Sequence, residues 1–105
     1  MTLDDQISID RDHVTRSVCR SIAGVLDEPS VDAERITAEQ NLIELGLDSL
    51  KLVDLAVALE DDLGIPEFPL QRWADAEASR PEPRFTVGAL VTTCVELLQT
   101  RDHAR

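Results

Sequence analysis

Apolar residues recur three and four apart in three stretches of this chain, and prolines with one glycine mark the breaks between them. That spacing lays one side of a helix against a core, and proline ends a helix because it lacks the N–H that would continue it. Val14, Val18, Ile22, Val25 and Leu26 form the first stretch, with Arg11, Asp12, Arg16 and Arg20 among the polar positions between them. Asp10 is its N-cap, and Pro29 forces an end near Asp27. Leu52, Leu55, Ala56, Leu59 and Leu63 form the second, predicted to start at Asp48 or Ser49 and to stop at Gly64 ahead of Pro66. Val87, Leu90, Val91, Cys94, Leu97 and Leu98 form the third, capped by Thr86 and fraying near Arg101. A shorter helix carrying Trp73 fits between the prolines, over 70–79.

Aromatics are 3% of the residues, namely Phe68, Trp73 and Phe85, so the core must be Leu, Val, Ile and Ala. With no strict alternation of apolar and polar positions, that mixture favours helices. A chain of 105 residues is one domain, and 43% hydrophobic residues make it a folding one. The expected layout is a polar leader over 1–9, a domain over 10–100 with an extended segment at 66–85, and a tail over 101–105.

The net charge of -11 argues against nucleic acid and against an anionic membrane surface. It suits protein partners with basic patches, although solubility alone explains the charge equally well. The N-terminus has no apolar stretch of signal-peptide length, and no run reaches the ~18 apolar residues of a membrane span, so a cytoplasmic protein is the expectation. Cys19 and Cys94 sit in apolar helical patterns without metal-ligand spacing, so no metal site is expected and both read as small buried hydrophobes.

Between the first two main helices lies a long connection, 28–48. Thr37-Ala38-Glu39-Gln40 has the spacing of a capping box around one short turn. Leu42, Leu45 and Leu47 alternate with polar or small residues, so the loop should lie against the core. Connections this long inside compact domains are uncommon and usually functional. On the second main helix, Leu50, Val53 and Val57 make a stripe beside the core stripe, edged by Asp54, Glu60, Asp61 and Asp62. A small domain covers one face of such a helix, so this stripe reads as an exposed docking surface; the alternative is that both stripes are buried.

The loop ends in Asn41-Leu42-Ile43-Glu44-Leu45-Gly46-Leu47-Asp48-Ser49-Leu50. This order sets a serine in the first turn of a helix, after a flexible glycine and a capping aspartate. The N–H groups there lack partners and carry partial positive charge, so a phosphate on Ser49 would be well placed. A serine that only caps the helix would look the same.

The run Leu45-Gly46-Leu47-Asp48-Ser49-Leu50 resembles the phosphopantetheine attachment motif of acyl carrier proteins, whose Gly-x-Asp-Ser-Leu core opens the second helix. Ile36-Thr37, Asn41-Leu42, Leu59-Glu60-Asp61-Asp62-Leu63-Gly64-Ile65 and Phe85-Thr86-Val87-Gly88-Ala89-Leu90 are similar to family positions as well. The resemblance covers about 12–98, more weakly between Glu67 and Arg84. It implies an all-α fold, a four-helix bundle with three main helices, one short one and a long first loop. It implies that Ser49 receives 4′-phosphopantetheine from coenzyme A through a phosphopantetheinyl transferase, and that the arm's thiol carries the cargo as a thioester. The chain would catalyse nothing itself. Asp48 would help place magnesium-bound coenzyme A in the transferase complex. Leu50, Val53, Asp54, Val57, Glu60 and Asp61 match the partner-recognition face. The implied partners are that transferase, an acyl- or aminoacyl-loading enzyme and a downstream synthase or transferase, met by a monomer.

Two features depart from the family pattern. Lys51 stands where fatty-acid carriers commonly have an acidic residue, and the Glu67 to Arg84 segment is longer than the usual link. Both point to a specialised natural-product pathway, such as polyketide or hybrid peptide synthesis, rather than housekeeping fatty-acid synthesis. Trp73 reads as a packing anchor for the added segment. The alternatives are a peptidyl or aminoacyl carrier of a nonribosomal peptide pathway and a helical adaptor that is never modified. A hydrolase built on Ser49 with Asp102-His103 is set aside: the chain is short for that scaffold, Leu47 interrupts the Gly-Asp-Ser-Leu signature, and His103 falls in the expected tail.

Overall fold

The computed structural model describes residues 10–28 and 30–103, with side chains through Thr100; the leader expected over 1–9 lies outside them. Five helices follow in order: α1 (Arg11–Leu26), α2 (Leu42–Leu45), α3 (Ser49–Leu63), α4 (Leu70–Ala78) and α5 (Val87–His103), with a 3-10 turn at Ala33–Arg35. No strand occurs among the described residues, and the chain is an all-α bundle in which α1 packs along both α3 and α5.

Each boundary has a local cause. Asp10 is extended and its side chain accepts from Asp12 N at 3.0 Å, so α1 starts at Arg11. Asp27 closes that helix in the left-handed conformation, its N–H returning to Ala23 O. Gly64, at φ 71, ends α3 in the same way, with its N–H on Glu60 O. Thr86 caps α5 by accepting from Ala89 N at 3.1 Å. The last helix continues through His103 rather than fraying near Arg101. The core is aliphatic: Val14, Val18, Ile22, Leu42, Leu47, Leu55, Leu59 and Leu90 are all buried. Ser17 is buried among them and donates its hydroxyl to Asp62 of α3, which satisfies a polar group at the α1–α3 seam.

The long connection lies on the core as expected, but it is more regular than its sequence suggests. It holds the 3-10 turn and α2, where alternation of Leu42, Leu45 and Leu47 points to an extended loop. The capping box is only half built: Thr37 N donates to the Gln40 side chain at 2.8 Å and Gln40 N to Thr37 O at 3.2 Å, which closes a turn and no helix.

This loop is sewn to the start of α5 by backbone pairing. Leu42 N donates to Phe85 O, Val87 N to Gln40 O and Gly88 N to Ala38 O, at 2.8 to 2.9 Å, around an isolated antiparallel bridge between Asn41 and Thr86. The Asn41 side chain adds a bond to Arg84 O at 2.8 Å. Gly88 is required by the close approach, because a Cβ there would stand 3.2 Å from both the Cβ and the carbonyl oxygen of Ala38. The two family-like segments around Asn41 and Thr86 are therefore the two halves of one seam.

The segment between α3 and α5 organises around Trp73. Its ring meets Phe68 and Phe85 edge to face, with centroids 6.2 and 5.9 Å apart, so the chain's three aromatics form one cluster. One turn further along α4, the buried carboxylate of Glu77 accepts from Phe85 N at 2.9 Å and from Arg80 at 3.0 Å. That carboxylate holds Phe85 at a left-handed φ of 54, a conformation uncommon for a residue with a side chain.

Candidate functional site

Four consecutive residues build the entrance to α3, each with a separate task. Gly46 adopts φ 115, where a side chain would be strained, and so ends α2. Its N–H bonds to Ile43 O at 3.0 Å, while Leu47 N bonds to Leu42 O at 3.1 Å. This is the paired closure of a Schellman motif, and the accompanying apolar contact comes from Leu42 and Leu47, both fully buried. Leu47 thus pins the chain to the core immediately before the helix. Asp48 is extended and its carboxylate accepts from Lys51 N at 2.9 Å, which makes it the N-cap of α3.

Ser49 is consequently the first helical residue and not the cap, so capping gives no task to its hydroxyl, which is exposed. Lys51 N is taken by Asp48, and Leu52 N returns to Asp48 O at 2.9 Å. The N–H groups of Ser49 and Leu50 have no acceptor within the helix, and no acidic residue occupies its first turn. A phosphate joined to the Ser49 Oγ would find those donors and the positive helix end. The residues present therefore fit a phosphate-linked arm.

The stripe expected to be exposed is exposed. Leu50 is 77% accessible, Val53 50% and Val57 53%, whereas Leu55, Ala56, Leu59 and Leu63 of the same helix are buried. Asp54 and Asp61 lie on the same outer side and are exposed. Glu60 differs from its neighbours: it is half-buried, and its carboxylate accepts from Phe68 N at 2.8 Å. It ties the chain after α3 back onto that helix.

Ile43 belongs to this surface and was not singled out by its sequence. It is 50% exposed on α2, close in sequence to the serine, because Leu42 and Leu45 turn inward on the same short helix. Its signal is helical phase, which is invisible when the leucines are taken as an alternating extended loop. Lys51 is half-buried at the other side of the helix start.

The remaining chemistry-bearing groups stand apart. His13 is exposed on α1. Cys19 and Cys94 are free and buried in the core; burial raises the Cys19 thiol above its usual range and pushes that of Cys94 up to about 12. No group of three or more His, Cys, Asp or Glu is arranged to hold a metal among the described residues. Among those residues, no helix is long and apolar enough to cross a membrane.

The exposed serine at a helix start, with an apolar stripe and acids below it, defines a helical carrier domain. Residues 16–71 match the family model of the phosphopantetheine attachment site. An acyl carrier protein of Saccharopolyspora erythraea is 36% identical over 85 residues, which are 79% of this chain and 80% of that protein. The acyl carrier protein AcpXL of Mesorhizobium japonicum is 36% identical over 50 residues, 47% of this chain and 53% of that protein, so the chain spans about half of that relative. The chain belongs to the acyl carrier protein family, whose cofactor is covalently attached 4′-phosphopantetheine.

The buried cysteines matter to such a carrier, since a thiol reacts as its thiolate and burial withholds that form. Titration with a small disulfide reagent at pH 8 is expected to find no fast thiol in the native unmodified protein and one fast thiol after the arm is attached. In urea, the two cysteines appear in addition. Fast reaction of either cysteine in the native unmodified protein would contradict their burial.

Proposed function

We propose that this chain takes its phosphopantetheine on Ser49 and carries acyl or aminoacyl groups as thioesters within a specialised biosynthetic pathway. The observation that carries this reading is the capping of α3 by Asp48, which leaves the exposed Ser49 hydroxyl without a structural duty. In the transfer, Ser49 Oγ attacks the phosphate joined to pantetheine in coenzyme A. A P–O bond forms to Oγ, the pyrophosphate link breaks, adenosine 3′,5′-bisphosphate leaves, and the hydroxyl proton passes to a base of the transferase. The arm's thiol then accepts an acyl group from an activated donor. The domain that does this is 10–100, and it performs no catalysis of its own. Asp48 caps the helix, and its carboxylate would help to place the magnesium ion that accompanies coenzyme A.

Leu50, Val53 and Val57 form the apolar centre of the recognition face, extended across the helix start by Ile43. Asp54 and Asp61 supply exposed negative charge at its rim, suited to a transferase, loading enzyme or downstream synthase with a basic surface. Glu60 contributes charge from a position already committed to Phe68 N. Lys51 and the aromatic-centred segment at 66–85 favour a dedicated pathway, such as one making polyketides or hybrid peptides, over housekeeping fatty-acid synthesis.

Incubation with coenzyme A, magnesium and a broad-specificity transferase is expected to raise the intact mass by one phosphopantetheine, and Ser49→Ala to abolish the gain. No gain would leave the unmodified-adaptor reading in its place, and a gain that survives the substitution would overturn Ser49 as the attachment point. Association with the transferase is expected to slow by roughly tenfold or more between low and high salt, and Asp54→Asn with Asp61→Asn to flatten that dependence. Rates insensitive to ionic strength would count against steering by these acids. In a reconstituted fatty-acid synthase the protein should substitute poorly for the housekeeping carrier; efficient replacement would remove the case for a dedicated pathway.

A further inference from the structure

A long groove runs between α4 and the C-terminal half of α5. α4 packs along α3, and its other side stands off from α5. Two adjoining depressions of about 620 and 300 Å³ follow this gap and share Pro69, Arg72 and Leu97. Pro69 and Leu97 are half-buried, and the buried Trp73 closes the floor. No residue of α3 lines the groove, so it is separate from Ser49 and from the Leu50, Val53 and Val57 stripe.

The charges around this groove differ from those on the rest of the surface. From Val87 to Thr100, α5 carries one charged residue, Glu96, in a chain that is 30% charged. Glu96 stands on the α5 bank and Arg72 on the α4 bank, both exposed. Neither side chain has an ion-pair or hydrogen-bond partner among the described residues. One cation and one anion thus face the same groove without meeting across it. A surface with both signs on opposite banks is complementary to itself. A twofold axis through the groove brings Arg72 of each copy to Glu96 of the other.

We propose that this groove is the contact face of a weak homodimer, in which Arg72 and Glu96 form two equivalent ion pairs around Leu97 and Ala76 of both copies, in place of the monomer that the family resemblance implies. The net charge of -11 does not forbid it. At about 0.15 M salt, charges further apart than roughly 8 Å are largely screened, so the groups brought into contact decide the outcome. Pairing through the α3 stripe would set Asp54 and Asp61 against their own copies. Pairing through the groove sets opposite charges together twice and covers apolar surface between them. The dimer leaves both Ser49 hydroxyls and both α3 stripes open to other proteins, and it does not depend on attachment of the arm.

Sedimentation equilibrium of the full chain, before and after the arm is attached, tests this. The weight-average mass is expected to rise from monomer toward dimer between about 10 µM and 1 mM protein in both states. Arg72→Glu should weaken association by about tenfold or more, as should Glu96→Arg, since each turns two attractive pairs into two repulsive ones. Arg72→Glu together with Glu96→Arg exchanges the banks and should restore the wild-type dissociation constant to within about threefold. Amide resonances of Thr93, Glu96 and Leu97 should shift with concentration, while those of Val53 and Val57 stay in place. A monomer at every concentration overturns the proposal. So does association that is unchanged by Arg72→Glu, a double reversal no tighter than the single ones, or concentration-dependent shifts centred on the α3 stripe. All three substitutions fall on exposed positions, and helical circular dichroism equal to that of the native chain verifies that each variant is folded.

Discussion

The backbone seam between 38–42 and 84–88 is the constraint on which the rest depends. A loop this long carries a large ordering cost, of about 1–2 kcal/mol per residue for the backbone alone. Hydrogen bonds from Leu42, Val87 and Gly88, with the Asn41 side chain on Arg84 O, fix the middle of that loop against the start of α5. Leu42 and Leu47 then drive its end into the core. The freedom left between the seam and α3 is the span of one four-residue helix and a glycine turn, so the serine has a defined position without being enclosed. The proposed attachment at Ser49 needs this combination: a hydroxyl that an enzyme can reach, on a backbone that does not move away from it.

Much of this was legible in the sequence because the signals were local. Asp10, Asp48 and Thr86 announce helix starts through side-chain chemistry that acts within three residues, and Gly64 announces an end through φ; each functions as its residue type suggests. The exposure of Leu50, Val53 and Val57 followed from helical phase once the other stripe was assigned to the core. Features that were not legible depend on distant partners. Leucine spacing over 42–47 fits an extended loop as well as a short helix; Asn41 and Gly46 cap the helix at its two ends, and pairing of Leu42 N with Phe85 O fixes it against the start of α5. Glu60 reads as one more acid on an acidic face, yet its carboxylate is engaged by Phe68 N, eight residues on. Glu77 sits in a polar stretch that gives no hint of burial; Phe85 N and Arg80 make that burial tolerable by supplying donors to both carboxylate oxygens.

Two regions of the bundle accordingly differ in how they are held. The α1, α3 and α5 helices share an aliphatic core whose buried polar group, Ser17, is satisfied across the α1–α3 seam. Around α4, order comes from a few specific contacts instead: three aromatics in one cluster, one buried carboxylate with two donors, and Glu60 on Phe68 N. Apolar packing spread over many residues resists any single displacement, whereas a handful of directional contacts can be lost and remade together. The α4 region is also tied to the serine-bearing helix: α4 follows α3, and Glu60 on the last turns of α3 accepts from Phe68 N.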